Sequence, residues 1–330
     1  MKRSICILLV LLLMLPLLAG CANVTDNGKT KIVCTVFPQY DWIKNVLGDT
    51  DGIELSLIIR NGADPHSYQP TAADIMSIAG CDMIVTLGGD SEKWVDEALE
   101  RAQGSDIKKI ELAEIAGMAL HEISSSSHTH DHGEHSHEEH EGHGHGAFDE
   151  HLWLSVKNAI TATEALTDEI CKLDKVNSDA YRQNAESYIA KLRSLDEKYA
   201  EAVASVPEES RFVLFADRFP FVYLLFDYGI EYQAAFDGCT TDVDADFDTV
   251  ITLINEADTH GVSYIAVTES SDGSLAQTVA SSTKKNNVQI ITLNSLQRIN
   301  EKDIKNGVCY LDAMADNLSA LKRALGVKGE

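Results

Sequence analysis

Two patterns of apolar and polar residues take turns along the chain. From residue 31 to residue 101, short runs rich in β-branched residues are followed by segments in which apolar residues recur every three or four positions. The first pattern is typical of buried strands and the second of amphipathic helices. Such alternation predicts a parallel α/β lobe. The predicted elements are strands over 31–37, 53–59 and 82–87 and helices over 41–47, 71–79 and 92–101, with Thr71 as an N-cap.

One predicted helix is much longer than the others. Between Tyr181 and Ala202, seven apolar residues follow a spacing of alternately four and three, and the residues between them are mostly polar. This spacing predicts an amphipathic helix of roughly 25 residues, on the order of 38 Å long. Pro207 follows it. A helix of this length can act as a stiff strut.

A second alternating region follows the long helix, with strands predicted over 211–216, 231–235, 262–268 and 288–293 and helices over 221–228, 246–260, 274–286 and 313–325. The predicted fold is therefore two similar α/β lobes joined by one long rigid helix. We divide the chain into an N-terminal lobe over 31–177, a connecting helix over 178–206 and a C-terminal lobe over 207–330.

A histidine-rich segment interrupts the N-terminal lobe. Residues 121–147 contain nine of the twelve histidines, mixed with Glu, Asp, Gly and Ser. No apolar periodicity is present, so we predict a disordered loop that attracts metal ions. The sequence His137-Glu138-Glu139-His140 lacks the spacing of a zinc peptidase helix.

The N-terminus is typical of a bacterial lipoprotein. Lys2 and Arg3 precede an apolar run, and Leu18-Ala19-Gly20 precede Cys21. The run is short for a membrane span. It predicts a signal peptide over 1–20 and a tether over 21–30. The motif resembles a lipobox, which implies cleavage before Cys21 and lipidation of its thiol. The alternative is an ordinary signal peptide with a chance cysteine.

Charge and cysteine content exclude several functions. The chain has 27 basic and 52 acidic residues, a net charge of −25, which repels nucleic-acid phosphates. Beyond Cys21 there are five cysteines and no CxxC pair, which argues against a zinc ribbon or a thiol redox motif. A disulfide is possible outside the cytoplasm, but the sequence does not say which cysteines would pair.

Three histidines lie outside the histidine-rich segment: His66, His151 and His260. His66 follows the second predicted strand, and His151 precedes the helix over 153–173. Ligands of α/β sheets bind at loops beyond the carboxyl ends of strands, and neutral imidazole is a common Zn²⁺ ligand. Loop position alone is equally compatible with surface or capping histidines. His260 is predicted to lie at a helix C-terminus.

The motifs NGADPHSYQPTAADI around His66, CDMIVTLGGDSEKW, and DEHLWLSVKNA around His151 resemble the cluster A-I solute-binding proteins of ABC importers. The resemblance covers essentially the whole chain after the tether. It implies that both histidines bind Zn²⁺ or Mn²⁺ in the cleft between two lobes. A histidine-rich insertion before the second motif is typical of the zinc branch.

The resemblance also implies a third histidine after the first strand of the C-terminal lobe, and that histidine is missing. Asp217 is the nearest candidate ligand there, although it is equally suited to pair with Arg218 or to cap a helix. Glu269 fits the position of the acidic fourth ligand, with Asp272 in reserve. Cys239 also follows a strand, and a thiolate binds zinc well.

We therefore expect a monomeric lipoprotein on the outer face of a bacterial cell membrane that binds Zn²⁺ and delivers it to an importer permease. Three alternatives stay open. The cargo is Mn²⁺, which the missing histidine favours; the protein is a metal buffer without a transporter; or it is a zinc hydrolase with Glu150 as base. We expect no enzyme activity, because no competing active-site motif is present.

Overall fold

The computed structural model describes residues 28–102, 106–121, 148–238 and 245–328. The predicted two-lobe α/β architecture is confirmed. In the N-terminal lobe the strands are β1 (Thr30–Cys34), β2 (Ile53–Leu57), β3 (Met83–Thr86) and β4 (Lys108–Glu111), and the helices are α1 (Phe37–Leu47), α2 (Ala72–Ala79), α3 (Lys93–Arg101) and α4 (Val156–Leu173).

Helix α5 (Ser178–Ala204) connects the lobes. The C-terminal lobe contains strands β5 (Phe212–Phe219), β6 (Glu231–Asp237), β7 (Tyr264–Thr268) and β8 (Gln289–Leu293), and helices α6 (Val222–Asp227), α7 (Phe247–His260), α8 (Ser274–Ser282), α9 (Glu301–Lys305) and α10 (Tyr310–Leu325). The two sheets are entirely parallel and share one topology, β2-β1-β3-β4 and β6-β5-β7-β8.

In each sheet the order of the strands reverses next to the first strand. The loops at the carboxyl ends of the strands form one rim. The rims of both sheets face the same cleft, since Arg218 at the end of β5 lies against Asp64, which follows β2. Helix α5 holds the lobes together: its apolar face is buried, and Tyr199 Oη donates to the Met314 carbonyl of α10 at 2.6 Å.

Several boundaries differ from the sequence prediction, and two of these differences have identifiable local causes. Helix α4 begins at Val156, because Leu152–Leu154 form a 3₁₀ turn and Ser155 caps the helix by accepting from Asn158 N. Strand β5 runs to Phe219, because an irregularity after Phe215 lets the strand continue through two polar residues. Strand β4 and helix α9 were not predicted, since the first is mostly polar and the second has five residues.

Cys34, Cys81, Cys171 and Cys309 are free thiols, and Cys239 lies outside the described residues. Within the described ranges no helix combines the length and apolar character needed to cross a membrane. The predicted signal peptide, Cys21, and residues 122–147 of the histidine-rich segment lie outside these ranges.

Candidate metal site

His66 lies in a short 3₁₀ turn (Pro65–Ser67) in the segment between β2 and α2. The Asp64 side chain caps this turn by accepting a hydrogen bond from His66 N at 3.1 Å. Pro65 fixes the backbone at the first position of the turn. The local sequence therefore holds the His66 backbone on the cleft rim.

His151 is completely buried just before the Leu152–Leu154 turn. Oδ1 of Asp149 accepts from His151 N at 2.9 Å and lies 2.8 Å from His151 Nδ1. A carboxylate at this distance requires a proton on Nδ1, so that Nε2 is the acceptor nitrogen of the neutral ring. Burial raises the pKa of Asp149, but its interactions with His151 outweigh burial and hold the pKa below its usual range.

The two imidazoles meet in the cleft. Nε2 of His66 lies 3.1 Å from Nε2 of His151, and the ring centroids are 5.0 Å apart. Burial lowers the pKa of His66, and the adjacent His151 lowers it further. His66 is therefore held neutral. Two neutral rings that each keep their proton on Nδ1 place two lone pairs against each other, and a cation between them removes that repulsion.

Glu150 lies on the Nδ1 side of His66, as Asp149 does for His151. Its Oε2 lies 3.7 Å from His66 Nδ1, and Oε1 accepts from Ser91 N at 3.0 Å. The Ser91 hydroxyl donates to the same carboxylate. Gly89 makes this arrangement possible, because a Cβ there would lie 2.2 Å from Glu150 Oε1. Each imidazole thus has a carboxylate on its Nδ1 side.

The two predicted carboxylate ligands make other contacts. Asp217 lies inside β5, and its Oδ2 accepts from Thr268 N at 2.8 Å and from the Thr268 hydroxyl at 2.6 Å. Glu269 accepts from Ser295 N at 2.8 Å and from the Ser295 hydroxyl at 2.7 Å. Asp272 accepts from Ser274 N at the start of α8. Within the described residues, no group of three or more His, Cys, Asp or Glu side chains is arranged to hold a metal ion.

The structure therefore brings His66 and His151 together and does not bring Asp217 or Glu269 to them. His260 lies at the C-terminal end of α7, where it stacks on Phe212 at 3.7 Å and is remote from the imidazole pair.

The C-terminal lobe contributes three residues that the sequence did not single out. The Gln297 amide contacts Nε2 of His151. Arg218 Nη1 and Arg298 Nη2 lie 3.5 Å and 3.3 Å from Asp64 Oδ2. Gln297 and Arg298 follow the end of β8, so the rule that placed His66 on the rim applies to them as well.

These side chains line one cavity of about 170 Å³ between the lobes, bounded by residues of both. Its lining includes His66, Asp64, Arg218, Thr268, Gln297 and Arg298. The cavity has room for an ion with a few water molecules or one small ligand.

Comparison with known proteins now decides the family. Residues 32–324 match the model of the zinc-uptake complex component A periplasmic family, ZnuA. The chain belongs to the ZnuA family. It is 31% identical over 319 residues to the high-affinity zinc uptake system protein ZnuA of Bacillus subtilis strain 168, covering 94% of this chain and 95% of that one.

Other ZnuA relatives are longer. The zinc-binding lipoprotein AdcA of Streptococcus pneumoniae strain R6 is 33% identical over 313 residues, 94% of this chain but 59% of AdcA. The chain thus spans about 59% of the length of that relative.

Solved structures agree with the fold. The Zn(II)-bound ZnuA-like domain of S. pneumoniae AdcA matches with a TM-score of 0.70 and 28% identity, over 90% of this chain and 99% of that one. The metal-dependent lipoprotein YcdH of B. subtilis matches with a TM-score of 0.71 and 26% identity, over the same shares.

Proposed function

We propose that this protein binds Zn²⁺ outside the cytoplasm and delivers it to an ABC importer. The observation that carries the proposal is the pair of imidazoles, one buried and one partly buried, whose Nε2 atoms lie 3.1 Å apart while a carboxylate faces each Nδ1. This arrangement presents two lone pairs to one point. The zinc-related names of its ZnuA relatives support the same cargo.

Zn²⁺ is favoured over Mn²⁺ because imidazole nitrogen suits zinc, whereas manganese prefers oxygen ligands. Asp217 and Glu269 stay the proposed carboxylate ligands. Each would have to exchange its present hydrogen bonds, to Thr268 and Ser295, for the ion. Direct competition between the two metals at equal concentration distinguishes the cargoes.

Calorimetric Zn²⁺ titration of a variant lacking residues 122–147 tests the proposal. One tight site is expected, and both His66→Ala and His151→Ala should abolish it. His260→Ala removes an imidazole outside the cleft and is the matched control. A tight site that survives loss of His66 contradicts the proposal.

The histidine-rich segment is proposed to collect ions weakly and to raise their concentration near the cleft. The first residue of this segment supports the idea, since the His121 carbonyl accepts from Asp149 N at 2.9 Å, two residues from His151. Deletion of residues 122–147 should slow zinc uptake at low external zinc. Unchanged uptake counts against this role.

We further propose a monomer anchored to the outer face of the membrane by lipid on Cys21, without enzyme activity. Glu150, the candidate base of a hydrolase, accepts hydrogen bonds from Ser91 and faces His66, which favours an orienting role. Metabolic labelling with a fatty acid should mark the parent chain and not Cys21→Ala. Label on the variant contradicts the anchor.

A further inference from the structure

We propose that Tyr223 is a positioning residue of the zinc site: its hydroxyl holds the backbone of Asp149 and, through the Asp149 carboxylate, the imidazole of His151. The inference rests on the proposed function, because it concerns one of the same two histidines. Tyr223 lies on helix α6 of the C-terminal lobe and is completely buried. It supports the site from the lobe opposite to the one that carries both imidazoles.

The Tyr223 hydroxyl joins two segments that are far apart in sequence. Its Oη donates to the Asp149 carbonyl at 2.6 Å and accepts from His121 N at 3.2 Å. Asp149 N in turn donates to the His121 carbonyl at 2.9 Å. These three hydrogen bonds fasten together the residues that flank the histidine-rich stretch 122–147. Both backbone polar groups of Asp149 are therefore used, which fixes its backbone on both sides.

The position of Asp149 determines the orientation of His151. Oδ1 of Asp149 accepts from His151 N at 2.9 Å and lies 2.8 Å from Nδ1. The backbone and the side chain of Asp149 thus serve different partners, since the carbonyl faces Tyr223 and the carboxylate faces His151. A metal site needs its donor atoms held to within about 0.5 Å, so support for the residue that orients a ligand contributes to affinity.

Helix α6 is a firm support, because further contacts hold it against the N-terminal lobe. At its C-terminal end, Asp227 Oδ2 accepts from the Ser155 hydroxyl at 2.6 Å, and the Asp227 carbonyl accepts from Lys157 Nζ at 2.9 Å. The His121 ring also packs against the ring of Tyr223, with centroids 4.8 Å apart. This ring contact does not need the hydroxyl. Tyr223→Phe therefore removes the two hydrogen bonds of the hydroxyl and keeps the packing.

Chelator competition on the full chain measures the effect of Tyr223→Phe on Zn²⁺ affinity at the tight site. Affinity should fall by about 10-fold, the lower end of the range for a lost partner outside the ligands themselves. Tyr228→Phe is the matched control, because it also loses a hydrogen bond of a buried tyrosine in the same lobe, from Oη to Asp196 at 2.8 Å. The control should leave affinity unchanged. Parent affinity in Tyr223→Phe, or an equal loss in both variants, overturns the inference.

A double-mutant cycle with Asp149→Asn tests whether Tyr223 acts through Asp149. If it does, Tyr223→Phe should change the affinity of Asp149→Asn by less than about 2-fold, because the carboxylate that Tyr223 positions is already lost. Additive losses would mean that Tyr223 affects the site by another route, and they too overturn the inference.

Nitrogen NMR of the metal-free protein provides a readout that a general loss of stability would not move. The Nδ1 signal of His151, identified by its absence from His151→Ala, should shift in Tyr223→Phe and not in Tyr228→Phe, because only the first change alters the contact with Asp149. An unmoved signal in Tyr223→Phe contradicts the positioning role. Parent affinity in His66→Ala overturns the proposed function instead, so the two failures are distinguishable.

Discussion

At the scale of single residues, two carboxylates decide which nitrogen of each imidazole faces the cleft. Asp149 and Glu150 are neighbours in the chain, yet each serves a different histidine: Asp149 faces Nδ1 of His151 and Glu150 faces Nδ1 of His66. Consecutive carboxylates therefore fix the orientation of two rings that are 85 residues apart in sequence. Outer carboxylates of this kind raise the basicity of the ligand nitrogen and hold the ring toward the metal.

Asp149→Asn tests this orienting role. The amide can still accept one hydrogen bond, but it loses the charge that stabilises the proton on Nδ1. We expect Zn²⁺ affinity to fall by about 10- to 100-fold with little change in the circular dichroism of the fold. Asp248→Asn, an exposed substitution on α7, is the control for loss of one negative charge. Equal affinity in both variants would mean that His151 needs no carboxylate.

Asp41 offers a test of stability against pH at a distance from the metal site. It is buried on α1, where its Oδ2 accepts from Tyr310 N at 3.0 Å. Burial raises the pKa of Asp41 to about 6. The folded state therefore holds this proton more tightly than the unfolded state does, so the resulting stabilisation is complete below about pH 4 and is lost as pH rises through 6.

Asp41→Asn removes that dependence while it keeps an acceptor for Tyr310. Relative to the parent, the free energy of unfolding of the variant should rise between pH 4 and pH 7 by up to about 3 kcal/mol. Urea unfolding at several pH values measures the difference. The exposed Asp168→Asn on α4 is the control, and parallel pH curves for parent and Asp41→Asn would contradict the assignment.

The sequence indicated the imidazole pair but not its surroundings. His66 and His151 were selected because of their loop positions and because the motifs around them resemble those of a known family of metal-binding proteins. Gln297 and Arg298 occupy an equivalent position after β8, yet Gln and Arg are common in loops, and nothing in their residue type marks them as ligand neighbours. Asp217 was expected in a loop, and the irregularity that keeps it inside β5 depends on pairing between strands, which local sequence does not reveal.

At the scale of elements, strong periodicity was reliable and weak periodicity was not. The connecting helix was predicted over 178–206 from apolar residues that repeat between Tyr181 and Ala202, and helix α5 extends from Ser178 to Ala204. Strand β4 pairs with β3 through backbone hydrogen bonds although three of its four residues are charged. An edge strand of this kind is defined by its neighbour, so its sequence carries little signal.

Helix α5 also allows a direct test of how much its buried face contributes. Leu192 is fully buried, and its neighbour Lys191 is exposed on the same helix. Leu192→Ala should lower the free energy of unfolding by about 2–5 kcal/mol, through lost burial and the cavity it leaves. Lys191→Ala should change it by less than about 0.5 kcal/mol. Urea unfolding compares the two, and a similar small effect for both would mean that the helix is not part of the core.

At the scale of the whole molecule, one C-terminal segment makes several of the polar contacts between the lobes. Residues 295–301 contact both histidine-bearing segments and also place Glu301 N on the Arg60 carbonyl at 2.8 Å. Two arginines converge on Asp64 in the same region. The cleft therefore places two arginines, both beside Asp64, in a molecule whose net charge is −25.

The acidic surface attracts an approaching cation, and the two arginines repel it. Measurements at different ionic strengths separate the two effects. The acidic surface acts over a long range, which shrinks from about 30 Å at 10 mM salt to about 8 Å at 150 mM. If it steers Zn²⁺ toward the cleft, the association rate should fall by about 3- to 10-fold over that interval while the dissociation rate changes little. Stopped-flow measurement on parent and His66→Ala isolates the signal of the tight site. A rate that does not depend on salt would mean that Arg218 and Arg298 cancel the acidic field where the ion enters.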